Sequence, residues 1–328
     1  MTRQVDRYVA ENRERIRRVS SRFVEVDSAQ DRDLSFGPNL IDVDVTGVAA
    51  FARSTGTQAL FGHADASKGF GRGTFGDDRR EWEELSIDDT DVAFTRQGRR
   101  AVAAALDGRD GAVTTSKAGT GTDDPATTDD ALTGVYSVAR VANSKPDPDS
   151  VESSGVHDAA SWAGDVIEVG IFDGEDRLLS RVVVDGVGEI SPTDDVRLDV
   201  TLTFTGSGVG NSVFTDAGDE VVADAMARPL TATGPAEFAF GSGDDEFDRS
   251  DTELTDEIFR KGAERDVDRD RIIARTHVFE HEPDTQPVDI SEMAVFGTDG
   301  RMIWATRLRE FTKRDDAGFN AEAEFRVN

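Results

Sequence analysis

The sequence predicts a mainly β protein with short helices. It reads as an α+β chain made of two tandem copies of a β-sandwich-like module behind an N-terminal segment that contains a helix. Two observations carry this. The second half of the chain repeats the first at an offset of about 120 residues, and self-similarity at a fixed period marks a repeated structural unit. Within each copy a helical stripe comes first and runs of β-branched and apolar residues follow, the order of an α+β module.

The repeat is carried by four blocks in the same order. VAFTRQGRRAVAAAL (Val92 to Leu106) matches SVFTDAGDEVVADAM (Ser212 to Met226), with Phe94, Thr95 and Gly98 on Phe214, Thr215 and Gly218. In the next block Gly119 and Gly121 fall on Gly241 and Gly243, and Leu132 on Leu254. Glu168, Phe172 and Arg177 then fall on Glu292, Phe296 and Arg301. The copies close with Asp194, Asp195 and Phe204 on Asp315, Asp316 and Phe325. One module is about 115 residues, an ordinary domain size. The chain therefore divides into an attachment segment, 1–88, and two modules, 89–206 and 207–328.

Inside a module, Thr95 caps a helix over QGRRAVAAALDG, with Ala101, Val102, Ala105 and Leu106 on one stripe and Gly108 at its end. The Gly-x-Gly stretch with its Thr, Asp and Pro residues is a loop. DDALTGVYSVARV fits either a short helix or a strand, and Lys145 to Ala163, rich in Pro, Ser, Asp and Gly, reads as an exposed excursion. VIEVGIF, the turn GED and RLLSRVVV form a β-hairpin. RLDVTLTF alternates with period two, so Leu198, Val200, Leu202 and Phe204 share one face.

The first 88 residues lie outside the repeat. Val5, Val9, Asn12, Ile16, Val19 and Phe23 alternate four and three apart, the spacing of a heptad stripe with one polar core position. The stripe serves equally a coiled coil between subunits or a helix packed on its own domain. LIDVDV follows as a strand with Leu40, Ile41, Val43 and Val45 mostly inward, and the Gly-rich GHADASKGFGRGTFGDD is a connection.

Composition narrows the partners. The 66 acidic residues against 37 basic ones give a net charge of −29. Such a charge argues against nucleic acid and anionic membrane surfaces as partners. Only five of the 37 basic residues are Lys. Excess acid with little Lys suits concentrated salt, where the Debye length falls to about 3 Å at 1 M and self-repulsion is screened. There is no cysteine. Neither an apolar leader nor an apolar run of spanning length is visible, so the chain reads as soluble and made in the cytoplasm.

Reactive constellations are sparse. The His residues are His63, His157, His277 and His281. The last two sit in RIIARTHVFEH, which reads as a strand, where residues four apart lie about 13 Å apart and do not share a metal. TDDPATTDD and GSGDDEFDRSD are carboxylate-rich loops without calcium-loop spacing and read as solvated charge. No nucleophile elbow or triad order is present. The expectation is a non-enzyme without cofactor, metal or catalytic residues.

The module resembles the phage tail-collar fibre domain. Thr95, Gly98, the run Ala101 to Leu106, Gly119-Thr120-Gly121, Ala131-Leu132 and Ile167-Glu168-Val169-Gly170-Ile171-Phe172-Asp173 carry the resemblance. The second copy carries it more loosely through Thr215, Gly218, Gly241, Gly243, Leu254, Glu292 and Phe296. Together the matching region is about two thirds of the chain. The resemblance implies a structural virion protein of a tailed virus of halophilic archaea, duplicated here and ending after the second copy without a fibre shaft or tip. A tail, baseplate or collar adaptor or fibre-attachment component fits best, in a homo-oligomeric ring or trimer with other virion proteins. A head-surface turret or decoration protein is the alternative within the same particle. A host-surface glycan-binding module is the alternative from another class, for which Trp162 is the candidate aromatic. The expected subunit contacts are Val5, Val9, Asn12, Ile16, Val19, Phe23 and Trp162.

Overall fold

The computed structural model describes residues 34–54, 82–85, 92–157, 168–184, 195–208, 210–228 and 233–328. The first half contains β1 (Leu34–Ser54), β2 (Trp82–Leu85), β3 (Val92–Phe94), α1 (Arg96–Leu106), β4 (Val113–Gly119), β5 (Ser137–Ser144), β6 (Ser150–His157), β7 (Glu168–Asp173), β8 (Leu178–Val183) and β9 (Val196–Gly208). The second contains β10 (Ser212–Phe214), α2 (Asp216–Ala227), β11 (Pro235–Gly241), β12 (Glu257–Gly262), β13 (Glu264–Asp268), β14 (Arg271–Val278), β15 (Val288–Gly297), β16 (Met302–Lys313) and β17 (Phe319–Val327). The fold is mainly β with short helices, as the alternation in the sequence predicts.

Local chemistry explains the elements. Each helix opens on a threonine with extended backbone, whose hydroxyl accepts the amide of the glycine three residues on: Gly98 N to Thr95 Oγ1 and Gly218 N to Thr215 Oγ1, both 3.0 Å. An N-cap of this kind is worth about 1 kcal/mol. Both hydroxyls also donate backwards, Thr95 to the Leu178 carbonyl and Thr215 to the Met302 carbonyl, which ties each helix start to its own hairpin. In β9 the apolar residues Leu198, Val200, Leu202 and Phe204 are buried, while Arg197, Asp199, Thr201 and Thr203 lie on the other side.

Two stretches differ from expectation. DDALTGVYSVARV, which fits a short helix or a strand, is irregular up to Tyr136 and enters strand β5 only at Ser137. The excursion expected over Lys145 to Ala163 is, from Ser150 to His157, a strand inside a sheet, paired on both sides with β5 and β9. Its inward positions are Ser150, Ser153, Gly155 and His157, beside Val151, so the strand carries little apolar alternation to betray it.

The large sheet runs β13-β14-β17-β1-β9-β6-β5-β4-β7-β8-β3, with β2 paired to β1; the small one runs β10-β16-β15-β11-β12. β5 serves two neighbours. Its first half pairs with β4 (Val138 opposite Lys117) and its second half with β6 (Val141 opposite Gly155). In the second copy the corresponding run is broken at Ala263, so β12 pairs with β11 and β13 with β14.

β1 sits between the closing strands of the two copies. It is antiparallel to β9, with Val45 opposite Phe204, and parallel to β17, with Ile41 opposite Phe325. β9 and β17 therefore run opposite ways across it, the relation produced by a local two-fold axis through β1 and normal to the sheet. The helices interlock about the same axis. α1 packs on β8 of its own copy and on β14 and β17 of the other. α2 packs on β16 of its own copy and on β6 and β9 of the other, and the two helices touch. One core results, holding Ile41 and Phe51 of β1 with Val102, Leu202, Val222, Trp304 and Phe325. Each fully buried side chain of this size contributes about 1.5–3 kcal/mol of transfer free energy.

Candidate functional site

The residues that define the repeat in the sequence converge on one structural device in each copy: a buried glutamate beneath a Gly-x-Gly loop. Glu168 opens β7 and is fully buried. Its carboxylate accepts the amides of Gly121 at 3.0 Å and Thr133 at 2.8 Å, and the Arg181 guanidinium at 2.6 Å. Arg181 also reaches Asp129 at 2.8 Å. Glu292, its counterpart inside β15, accepts the amides of Asp256 at 2.9 Å and Thr255 at 3.3 Å. A side chain on Gly121 would place its Cβ 2.6 Å from Glu168, and one on Gly243 the same distance from Glu292. The glycines are thus required by the approach of the loop to the carboxylate, and the buried charges are satisfied by amides, as buried charges must be. Burial and the nearby Glu168 charge push the Tyr136 phenol up to about 12.

A second buried polar group lies where β5 passes from β4 to β6. His157 Nε2 is 2.9 Å from Ser116 Oγ and Nδ1 is 2.9 Å from Ser137 Oγ. Burial depresses the imidazole pKa to about 4, so it is neutral at neutral pH. The Ser–His distance matches that of a nucleophile and its base. Ser116 is 0% exposed and His157 1%, and a side chain on Gly155 would overlap the Ser116 hydroxyl. The cluster is sealed, and its three residues tie β4, β5 and β6 together.

The third polar set lies on the seam between the copies. Lys145 meets Asp224 at 2.9 Å, and Arg265 meets Asp107 at 3.6 Å. Gly234 N donates to the Leu106 carbonyl at 3.0 Å, and Asn143 Nδ2 donates to the Ala227 carbonyl at 3.3 Å. The C-terminal carbonyls of each helix, which have no partner within their own helix, are thus met by the opposite copy. Asp219 accepts the Gly206 amide at 2.6 Å and is held by Arg249. Burial nevertheless pushes its carboxyl pKa up to about 6.

The carboxylate-rich loops are built into the fold rather than merely solvated. Asp129 pairs with Arg181, while Asp251 and Asp248 close their own turn through the amides of Asp248 and Ser250. β14 ends at Val278, so His281 lies in a turn and not one above His277 on a strand as the sequence suggested. Among the described residues no three His, Asp or Glu side chains are grouped to hold a metal ion. The expected subunit-contact residues Val5, Val9, Asn12, Ile16, Val19, Phe23 and Trp162 lie outside the described residues, as does His63. Among the described residues no helix is long and apolar enough to cross a membrane.

Sequence reasoning passed over His157 and the role of the Gly-x-Gly loops. The signal for the second was present: both glycine pairs and both glutamates recur at the repeat offset, whereas most loop residues around them do not. Comparison with family models, with curated proteins and with solved structures finds no match for the chain.

Proposed function

We propose that this chain is a structural subunit of a virion, a tail, baseplate or collar adaptor of a tailed virus of halophilic archaea. The observation that carries the reading is where the chain places its recurring residues. Thr95, Gly98, Gly121 and Glu168, with their counterparts Thr215, Gly218, Gly243 and Glu292, hold loops and helices in place. A chain that duplicates a framework, and keeps its framework residues in both copies, is suited to bearing contacts on many sides. The uncovered side of the central sheet suits this as well. It presents Asp44, Thr46 and Val48 of β1 beside Thr201, Thr203 and Thr205 of β9, a broad surface of short side chains. The acidic composition supports a salt-rich setting.

Native mass in 3 M salt tests the reading, together with labelling of purified particles by an antibody raised against the chain. A discrete homo-oligomer and labelled particles support it. A monomer absent from every particle fraction removes it.

A further inference from the structure

The turn after β14 carries an exposed aromatic shelf. Phe279 is 48% exposed, whereas the other described Phe, Tyr and Trp side chains are buried or half-buried. Its ring stands edge-on to His277, centroids 4.7 Å apart, and within 12° of parallel to His281, centroids 6.0 Å apart. The shelf is held rigidly. The Phe279 amide donates to Glu282 at 3.0 Å, and Glu282 is gripped by Lys261 at 2.5 and 2.7 Å. The Lys261 ammonium lies 4.7 Å from the Phe279 centroid. His277 Nδ1 meets Asn320 Oδ1 at 2.8 Å. Since that oxygen accepts, Nδ1 carries the proton and Nε2 is left as an acceptor.

We propose that this shelf binds the apolar face of a neutral sugar ring. Three observations select that guest. A cation gains no net charge at the ring, because Lys261 and Glu282 neutralise one another there and the Lys261 ammonium already sits over it. An anion likewise meets no net positive charge at this pair, and the net charge of −29 opposes it. A neutral polyhydroxyl ring stacks its C–H face on Phe279, while the imidazoles of His277 and His281 meet its hydroxyls at the rim. Concentrated salt strengthens this choice, because it screens charge contacts and favours burial of apolar surface. The ring is fixed before binding, so little side-chain entropy is lost when a sugar docks. The proposal is independent of the assembly reading, since each can fail while the other holds.

The test is saturation-transfer NMR on the full chain in 3 M salt, with maltotetraose, cellotetraose and chitotriose as probes. At least one probe is expected to bind with Kd of about 1 mM, the strength of a single stacking platform. Phe279→Ala should weaken it at least tenfold, His281→Ala should weaken it less, and Phe279→Tyr should retain it. Near-UV circular dichroism confirms that each variant is folded. Absence of binding to all three sugars, or binding unchanged in folded Phe279→Ala, overturns the proposal.

Discussion

Glu168 and Arg181 form a buried ion pair at 2.6 Å in the first copy, and the position equivalent to Arg181 in the second copy is Ala305. The pairing registers establish the equivalence: Gly170 faces Arg181 just as Ala294 faces Ala305. The same glutamate nest is thus built once with a guanidinium and once with Glu292 held by the loop amides.

Arg181→Ala should therefore be far more damaging than a typical surface change. It leaves Glu168 sealed with two amides and strips Asp129 of its arginine. Loss of one member of a buried pair costs about 3–5 kcal/mol. Chemical denaturation in molar salt reads this directly. Arg181→Ala combined with Glu168→Gln should recover part of the loss, because the fully buried carboxylate is then no longer charged.

His157 predicts an acid-sensitive fold. Its folded pKa is about 4 against an ordinary value of 6.5. The unfolded chain therefore takes up a proton first as pH falls. The stability contribution is intact above pH 6.5 and is lost progressively between 6.5 and 4. Complete loss across that window amounts to about 3 kcal/mol at 1.36 kcal/mol per pKa unit. Stability measured against pH should show this slope in the native chain and not in His157→Asn. A slope that persists in the variant assigns the acid sensitivity to other groups.

The glycines at the two helix starts are fixed by contact. A Cβ on Gly218 would lie 2.6 Å from the Ile303 carbonyl, and one on Gly98 would overlap the Leu179 carbonyl. Backbone oxygens in a paired strand do not move aside. Gly98→Ala and Gly218→Ala should each cost about 1–3 kcal/mol, as overpacking does. Gly262→Ala is the control, because a Cβ there meets nothing within 4 Å. It should leave the denaturation midpoint nearly unchanged.

The interlocked helices predict one thermal transition. α1 rests on β14 and β17, and α2 on β6 and β9, so neither copy keeps its core when the other unfolds. Calorimetry in 3 M salt should give a van 't Hoff enthalpy equal to the calorimetric one. Two resolved transitions would mean that the copies unfold independently. The same scans repeated at 0.1 M salt should show a lower midpoint, since the net charge of −29 is then poorly screened.

Much of each copy was legible in the sequence because its signals are local. The Thr95 and Thr215 caps and the Leu198 to Phe204 alternation each report on neighbours a few residues away. β6 was not legible, because hydrogen-bonding groups such as Ser153 and His157 fill its inward positions in place of an apolar alternation. The interlock was hidden for another reason. The apolar stripe of α1 says that a face is buried, but not that the covering strands belong to the other copy. In the glutamate nests the partners lie 47 and 35 residues apart in the first copy and 36 and 37 in the second, beyond any local pattern. Only the recurrence of the same residues in both copies pointed to them.

The place of β1 has a consequence for how the protein is made. Leu34 pairs with Phe319 and Val43 with Val327, so the earliest described strand to leave the ribosome waits for the last. β9 can take one side of β1 early, but the other side has no partner until β17 has been synthesised. Long sequence separation slows such pairing, and until it forms, the side of β1 turned away from β9 presents a bare edge able to recruit foreign strands. A prematurely terminated product would keep that edge permanently, which marks it for chaperone capture or degradation. Final closure of the sheet thus acts as a proofreading step, passed only by a chain translated through β17.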